Sequence, residues 1–193
     1  MMTRIVLLLI ASVLLSQSVT SSQRDQATAY EDADAYEVYS AILPFEWPMS
    51  AAKAKMLVIR IKTRAYEMCL RPNQEWKEMI EPAIADYEKQ NQKTWLLQQR
   101  FGTEIPCKIV TSDEVNAAMV GHSWEGFYKT YPDSGGWIEL SAVGFNADRT
   151  VAVVYVGHLC GLLCGGGRFH VLQKTENKWL PVDWKGSSCM WAS

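Results

Sequence analysis

The segment 150–159 constrains the fold more than any other part of the chain. Its sequence, TVAVVYVGHL, is rich in β-branched residues and nearly apolar throughout. β-branched side chains fit the pleated surface of a strand, and a strand that is apolar on both faces is typical of the interior of a sheet. The segment therefore predicts a strand at the centre of a sheet.

The same period of two continues on both sides of this segment. Residues 137–145 alternate apolar and polar positions, and Asn146-Ala147-Asp148-Arg149 has the turn chemistry of a hairpin connection. A Gly-rich loop at 160–167 leads to FHVLQK at 169–174, and residues 175–178 turn into 179–184. Four strands with short connections predict an antiparallel meander.

The front of the chain has helical periodicity instead. Before Pro44, one helical face carries the apolar residues Tyr36, Tyr39, Ile42 and Leu43. After Asn73, which has the chemistry of an N-cap, a longer apolar stripe consists of Trp76, Met79, Ile80, Ala83, Ile84 and Tyr87. We interpret the paired tyrosines as core rather than as a ligand platform. Pro82 predicts a kink or two short helices in the region 74–100. Further helices are predicted after Ser112 and over 124–131.

Two short strands are also predicted in the front half. Residues 56–62 (MLVIRIK) alternate toward their end, which indicates a strand with one solvated face, and residues 107–110 fit a shorter strand. Together the patterns predict an α+β fold in which a helical N-terminal half packs on a C-terminal four-stranded antiparallel meander. We expect a mobile lead-in at 22–35 and a single domain at 36–193.

The N-terminus has the pattern of an export signal. Residues 5–15 (IVLLLIASVLL) are unbroken apolar, Arg4 precedes them, and small or polar residues follow. The run is too short for a spanning helix and predicts a signal peptide at 1–18, cleaved after residue 18 or 21. We therefore expect an exported, soluble, periplasmic or extracellular protein with no membrane span in the mature chain.

Cysteine content fits that compartment. All five cysteines lie beyond the export signal, and an oxidising environment makes disulfides the default. The odd number leaves at least one thiol free or paired with another chain.

The loop 160–167 (CGLLCGGG) is the least ordinary feature. Our preferred interpretation is a local disulfide between Cys160 and Cys164. A metal site formed by His158, Cys160, Cys164 and His170 is an alternative, because these ligand types suit Zn or Cu(I), although the spacing is not a standard zinc signature. Thiol-redox chemistry by the same cysteine pair is a further alternative.

No motif in the chain specifies an activity. Lys and Arg number 19 against 21 Asp and Glu, which disfavours nucleic-acid binding. Hydrolase and phosphate-loop signatures are absent, so a small secreted hydrolase using His158 or His170 stays an alternative without a motif. We interpret the tryptophans as core rather than as a sugar-binding surface, and we expect no cofactor.

The region 131–179 carries a resemblance. Its motifs are Tyr131-Pro132-x-Ser134-Gly135, then LSxVGFN at 140–146, then CGxxCGxG at 160–167. They resemble those of an uncharacterised family of exported bacterial proteins, which implies export from a bacterium and assigns no catalytic residue. We therefore expect a non-catalytic binding or envelope-associated role, with a protein or a glycan as partner.

Overall fold

The structure is a computed structural model that describes residues 27–45, 54–119, 121 and 123–193. The expected signal peptide at 1–18, its cleavage site and residues 22–26 of the expected lead-in lie outside the described residues. So does His122.

The described residues form four α-helices, one short 3-10 helix and twelve strands. The helices are α1 (Ala33–Ile42), α2 (Gln74–Gln90), α3 (Ser112–Ala118) and α4 (Trp124–Thr130), and the 3-10 helix is Leu43–Phe45. The strands are β1 (Thr28–Ala29), β2 (Met56–Arg60), β3 (Arg71–Pro72), β4 (Trp95–Leu96), β5 (Cys107–Val110), β6 (Ser134–Leu140), β7 (Gly144–Phe145), β8 (Val151–Gly161), β9 (Cys164–Thr175), β10 (Lys178–Pro181), β11 (Gly186–Ser187) and β12 (Met190–Ala192).

Eight of these strands form one mixed sheet. Its order is β10-β9-β8-β6-β2-β5, with β7 added beside β8 and β12 beside β9. Strands β6, β8, β9 and β10 pair antiparallel, whereas β2 pairs parallel with both β5 and β6.

The predicted helical half over a four-stranded meander is therefore wrong. Two strands from the front of the chain, β2 and β5, complete the sheet, and strand outweighs helix. The pairing of Ile59 with Ile138 joins residues far apart in the chain. Local periodicity reports which segments are strands but not which distant strands pair, so the sequence pattern could not place β2 and β5 in this sheet.

Strand β8 confirms the prediction of a central strand. Its side chains alternate between two core clusters on opposite faces of the sheet. Ala152, Val154 and Val156 pack in the cluster that includes α1 residues. Val151, Val153 and Tyr155 pack in the cluster that includes α2 residues. Helices thus cover both faces, which is why this strand lacks a polar side.

Strand β2 differs from its prediction for the same reason. Leu57, Val58 and Ile59 are all buried, so neither face is solvated. Leu57 and Ile59 join the α1 cluster, whereas Val58 packs with α3 and α4 residues such as Val115 and Phe127. A parallel strand inside a covered sheet is normally buried on both sides.

Helices α1 and α2 correspond to the two apolar stripes of the sequence. The apolar face of α1 is buried, including Tyr36 and Tyr39, which confirms the core interpretation. Asn73 caps α2 by accepting a hydrogen bond from the Trp76 amide at 3.2 Å. Helix α2 continues through Pro82, so the alternative of two short helices is wrong. The carbonyl that Pro82 cannot bond belongs to Glu78, an exposed residue, where water can take the place of the missing donor.

Candidate functional site

The hairpin of β8 and β9 ends in two leucines that the fold leaves uncovered. Leu162 and Leu163 form the turn, and their exposed fractions are 87% and 89%. No other large apolar side chain among the described residues is as exposed; Met190 follows at 71%. We call residues 160–164 the hairpin tip.

Local folding does not explain leucine at these two positions. Two-residue hairpin turns favour types that need a positive φ, and therefore Gly, Asn or Asp. Neither Leu162 nor Leu163 has a positive φ, in contrast to Glu176 and Asn177 in the next hairpin turn. Leucine is also a poor turn former and gains nothing by exposure to water. Departures from local rules of this kind concentrate at functional sites.

A disulfide closes the hairpin tip. Cys160 and Cys164 are bonded, with their Cα atoms 5.0 Å apart. The strand register shifts here, because Leu159 pairs with Gly165 while Gly161 pairs with Cys164. Cys160 is thus the extra residue of a β-bulge. The bulge and the disulfide together hold the unusual turn.

Two neighbours support the tip from its sides. The Tyr128 hydroxyl of α4 donates a hydrogen bond to the Cys160 carbonyl at 2.8 Å. On the other side, β12 pairs with the glycine run of β9, with Trp191 opposite Gly167. A side chain at Gly167 would overlap the Tyr155 hydroxyl and lie 2.6 Å from Trp191 Nε1. Only glycine allows this approach, so the glycines at the base of the tip have a packing role.

A second disulfide anchors the C-terminal strand. Cys69 and Cys189 are bonded across 120 residues, with Cα atoms 5.8 Å apart. Both pack against the α2 cluster, and β12 begins directly after Cys189. Five cysteines allow several connectivities, so the sequence could not specify this pair.

Cys107 is the free cysteine of the five. It lies on edge strand β5, with its sulfur 3.1 Å from the Thr103 hydroxyl oxygen. Burial raises the pKa of the Cys107 thiol above its usual value. The thiol is therefore protonated at neutral pH and is a poor nucleophile.

The four proposed metal ligands do not converge. His158 lies opposite Gly166, and His170 lies opposite Val154, four residue pairs further along the hairpin. That spacing corresponds to roughly 13 Å at about 3.3 Å per residue. The two cysteine sulfurs are bonded to each other. Within the described ranges, no group of three or more His, Cys, Asp or Glu side chains could hold a metal ion.

Both described histidines are buried in the sheet. Each is 9% exposed, and His158 Nε2 lies 2.8 Å from the Gly135 carbonyl oxygen. That contact ties β8 to the start of β6. It gives His158 a positioning role in the strand pairing.

The interpretation of the tryptophans as core is confirmed for Trp137 and Trp179, whereas Trp124, Trp184 and Trp191 are only partly buried. Trp137 and Trp179 are 8% and 5% exposed. Trp124 stacks on Trp137 with ring centroids 4.6 Å apart, and Trp179 packs on Phe145 at 5.6 Å. These rings fill the layers between helices and sheet.

An ion-pair cluster joins α1 to the β7–β8 turn. Arg149 bonds Asp32 at 2.6 Å and also bonds Asp34, which Lys174 of β9 approaches at 3.4 Å. The hydrogen bond from Arg149 lowers the pKa of the Asp34 carboxyl. Asp32 also caps α1. Each charge has an opposite neighbour, so the cluster fastens the helix to the sheet.

A cleft lies between α1 and β10. It measures about 650 Å³ and is lined by Tyr36, Arg100, Trp179 and Leu180, among others. The Ser40 hydroxyl in its lining donates a hydrogen bond to the Tyr36 carbonyl and accepts one from the Gly102 amide, so backbone groups rather than a base hold it. The hairpin tip therefore stays the strongest candidate site.

The two leucines of the tip were missed from the sequence, in which the loop 160–167 stands out for its cysteines and glycines. The available signal was two apolar residues at turn positions that favour glycine or asparagine.

No family model matches the chain, and neither a curated protein nor a solved structure is significantly similar to it. Of the helices that the structure describes, none combines the length and the apolar character needed to cross a membrane.

Proposed function

We propose that this is an exported protein that acts by binding a protein partner through the hairpin tip, without catalysis. The observation that carries the proposal is the pair of leucines, 87% and 89% exposed and enclosed by a disulfide. Export is supported by the signal-like N-terminus and by the two disulfides.

The tip has the energetics of a binding element. Burying an exposed leucine stabilises a complex by about 1.5–3 kcal/mol. The Cys160–Cys164 disulfide and the Tyr128 hydrogen bond hold the turn in place before binding. A rigid tip loses little conformational entropy when it binds, so more of the burial energy becomes affinity.

The partner that fits this shape has a concave apolar pocket. At about 25 cal/mol per Å², the energies above correspond to roughly 60–120 Å² per leucine. Two tips pressed together would therefore bury roughly 240–480 Å², well below the ~1,000 Å² of a specific interface. A pocket that encloses the tip adds the surface of its own walls, so we favour a protein partner over a second copy.

The charge pattern also favours a protein over a lipid surface. Residues 159–167 carry no charged side chain, and the whole chain has a net charge of −2. Attachment to anionic lipids draws on clustered Lys and Arg beside the apolar residues. Two leucines without such a cluster would anchor weakly to a bilayer, whereas a matched pocket desolvates both.

The test compares matched variants of the disulfide-bonded protein. The wild type, Leu162→Ser/Leu163→Ser and Leu180→Ser are immobilised and exposed to an envelope extract of the source organism. Leu180 is 50% exposed on β10 and controls for the loss of any surface leucine. We expect a protein that is retained by the wild type and Leu180→Ser and lost by the double variant.

The proposal also predicts direct binding between purified components. The purified partner should bind the double variant about 100-fold more weakly, since each hot-spot truncation costs about tenfold. Equal retention of all captured proteins by the double variant would overturn the proposal. Leucine-dependent binding to anionic phospholipid vesicles, with no retained protein, would overturn it in favour of a membrane role.

A further inference from the structure

The geometry points to a thiol–disulfide switch at the hairpin tip. We propose that reduction of Cys160–Cys164 by a dithiol reductant loosens the tip and releases its partner, and that the reverse exchange, with the disulfide form of that dithiol as oxidant, re-forms Cys160–Cys164 and restores binding. This inference rests on the proposed function, because it concerns regulation of the same site.

The position of this disulfide makes it separable from the fold. It closes a segment of only a few residues, with a sequence separation of 4. Neither cysteine belongs to the core clusters of the described residues, whereas Cys69 and Cys189 both pack against the α2 cluster. Opening Cys160–Cys164 would therefore leave the three clusters and the long-range disulfide in place.

The local structure depends on the disulfide. The last regular strand pair below the bulge is Leu159 with Gly165, and the Gly161–Cys164 pair lies beyond it. The turn itself is not of a type that two-residue hairpins favour. Gly161 and the glycine run 165–167 have more conformational freedom than other residues once released. Without the disulfide, we expect the tip to fray as far as the Leu159–Gly165 pair.

The exchange chemistry balances with a dithiol as co-reactant. One reductant thiolate attacks a sulfur of Cys160–Cys164, the S–S bond breaks, and the leaving sulfur takes a proton from water. The second reductant thiol attacks the mixed disulfide and releases the other cysteine as a thiol. The reductant ends as a disulfide, and Cys160 and Cys164 end as two thiols, so two electrons are transferred.

The free cysteine does not interfere with this exchange. Strand β5, which carries Cys107, is separated from β8 by β6 and β2. Three strand spacings of about 4.8 Å place it roughly 14 Å away across the sheet. The raised pKa of its thiol further limits attack on the disulfide.

The experiment titrates the folded, disulfide-bonded full chain with dithiothreitol. Differential alkylation and mass spectrometry identify which cysteines open, and hydrogen exchange reports the amides of Gly161 and Cys164, which pair at the end of the hairpin. Retention of the envelope protein captured by the wild type measures binding. Cys160→Ser/Cys164→Ser mimics the open state without reductant, and Cys107→Ser serves as the matched control.

We expect Cys160 and Cys164 to become alkylated at reductant concentrations at least tenfold below those that open Cys69 and Cys189. Amide exchange at Gly161 and Cys164 should then rise at least tenfold, and retention should fall at least tenfold, while Cys107→Ser behaves as the wild type. The switch would be overturned if Cys69–Cys189 opened before Cys160–Cys164. It would also be overturned if, after Cys160–Cys164 had opened, the retained amount of partner stayed within twofold of that retained by the oxidised protein. The Leu162→Ser/Leu163→Ser result judges the proposed function separately.

Discussion

The Tyr128 hydroxyl donates a hydrogen bond to the Cys160 carbonyl oxygen at 2.8 Å. Tyr128 belongs to α4, and the preceding residue of that helix, Phe127, is fully buried in the cluster that packs against the sheet. This bond connects the hairpin tip to a packed helix. The tip is thereby held from the side as well as by its own disulfide.

Tyr128→Phe removes this hydrogen bond and keeps the ring. A typical hydrogen bond contributes about 1 kcal/mol to stability, so we expect the free energy of unfolding in urea to fall by about that amount. Hydrogen exchange at residues 161–164 should accelerate more than exchange in β8 at Val153–Tyr155. Equal acceleration at both places would mean that the bond supports the whole sheet rather than the tip.

Gly167→Ala tests the support on the opposite side of the tip. The added methyl would overlap the Tyr155 hydroxyl and crowd Trp191 Nε1, two groups joined by a 2.6 Å hydrogen bond. Overpacking of this kind costs about 1–3 kcal/mol. Gly102→Ala is the control, because the nearest atom to its added methyl would be the Ser40 hydroxyl oxygen at 3.6 Å. In urea unfolding, the free energy of unfolding should fall clearly for Gly167→Ala and change little for Gly102→Ala.

The two disulfides should differ in their contribution to global stability. The chain-entropy estimate for the loop of 120 residues closed by Cys69–Cys189 is about 5 kcal/mol, against about 2 kcal/mol for the ring at Cys160–Cys164. Cys69→Ser/Cys189→Ser should therefore lower the unfolding free energy far more than Cys160→Ser/Cys164→Ser. A larger loss for the Cys160–Cys164 variant would show that the tip disulfide supports the fold itself.

The ion pairs of Arg149 should make the free energy of unfolding fall as the solution becomes acidic. The Arg149 hydrogen bond lowers the pKa of Asp34 in the folded state. A lowered folded pKa gives stability that is present above the unfolded value of about 3.9 and is lost as pH falls through the folded pKa. Because these side chains are partly exposed, the pair with Asp34 is worth about 0.2–1 kcal/mol.

Arg149→Gln removes the pair with Asp34 together with the pair with Asp32 and the contact of the guanidinium with the Phe145 ring, 3.9 Å from its centroid. The variant should be less stable than the wild type at pH 7, and the deficit should shrink as the pH falls below the unfolded value of about 3.9 toward the lowered folded pKa of Asp34. Lys129→Gln, which breaks the exposed pair with Glu125, is the control and should have a smaller effect across this pH range. An Arg149→Gln deficit that persists unchanged across the same range would exclude the ion pairs as its cause.

Local sequence patterns predicted the elements better than their arrangement. The apolar run of β8 located the centre of the sheet, and the Asn73 cap and the α1 stripe located two helices. Those features depend on neighbours within one or two turns of chain. The parallel pairing of β2 with β6 and the Cys69–Cys189 bond depend on contacts between distant segments, which no local period encodes.

The candidate site was predicted in part. The loop 160–167 attracted attention through Cys160 and Cys164, and the structure pairs these two cysteines. The exposure of Leu162 and Leu163 was not foreseen, because apolar residues beside a predicted strand are usually buried. Their exposure follows from the tight turn at the end of β8, which lies beyond the last core contact of the hairpin.

The most direct test of the proposed function is the dissociation constant of the captured partner for Leu162→Ser/Leu163→Ser, measured beside Leu180→Ser. All three proteins must first show the same unfolding free energy within about 0.5 kcal/mol, as expected for surface substitutions. We predict a loss of about 100-fold for the double variant and less than twofold for Leu180→Ser. A double variant that binds within twofold of the wild type would contradict binding through the hairpin tip.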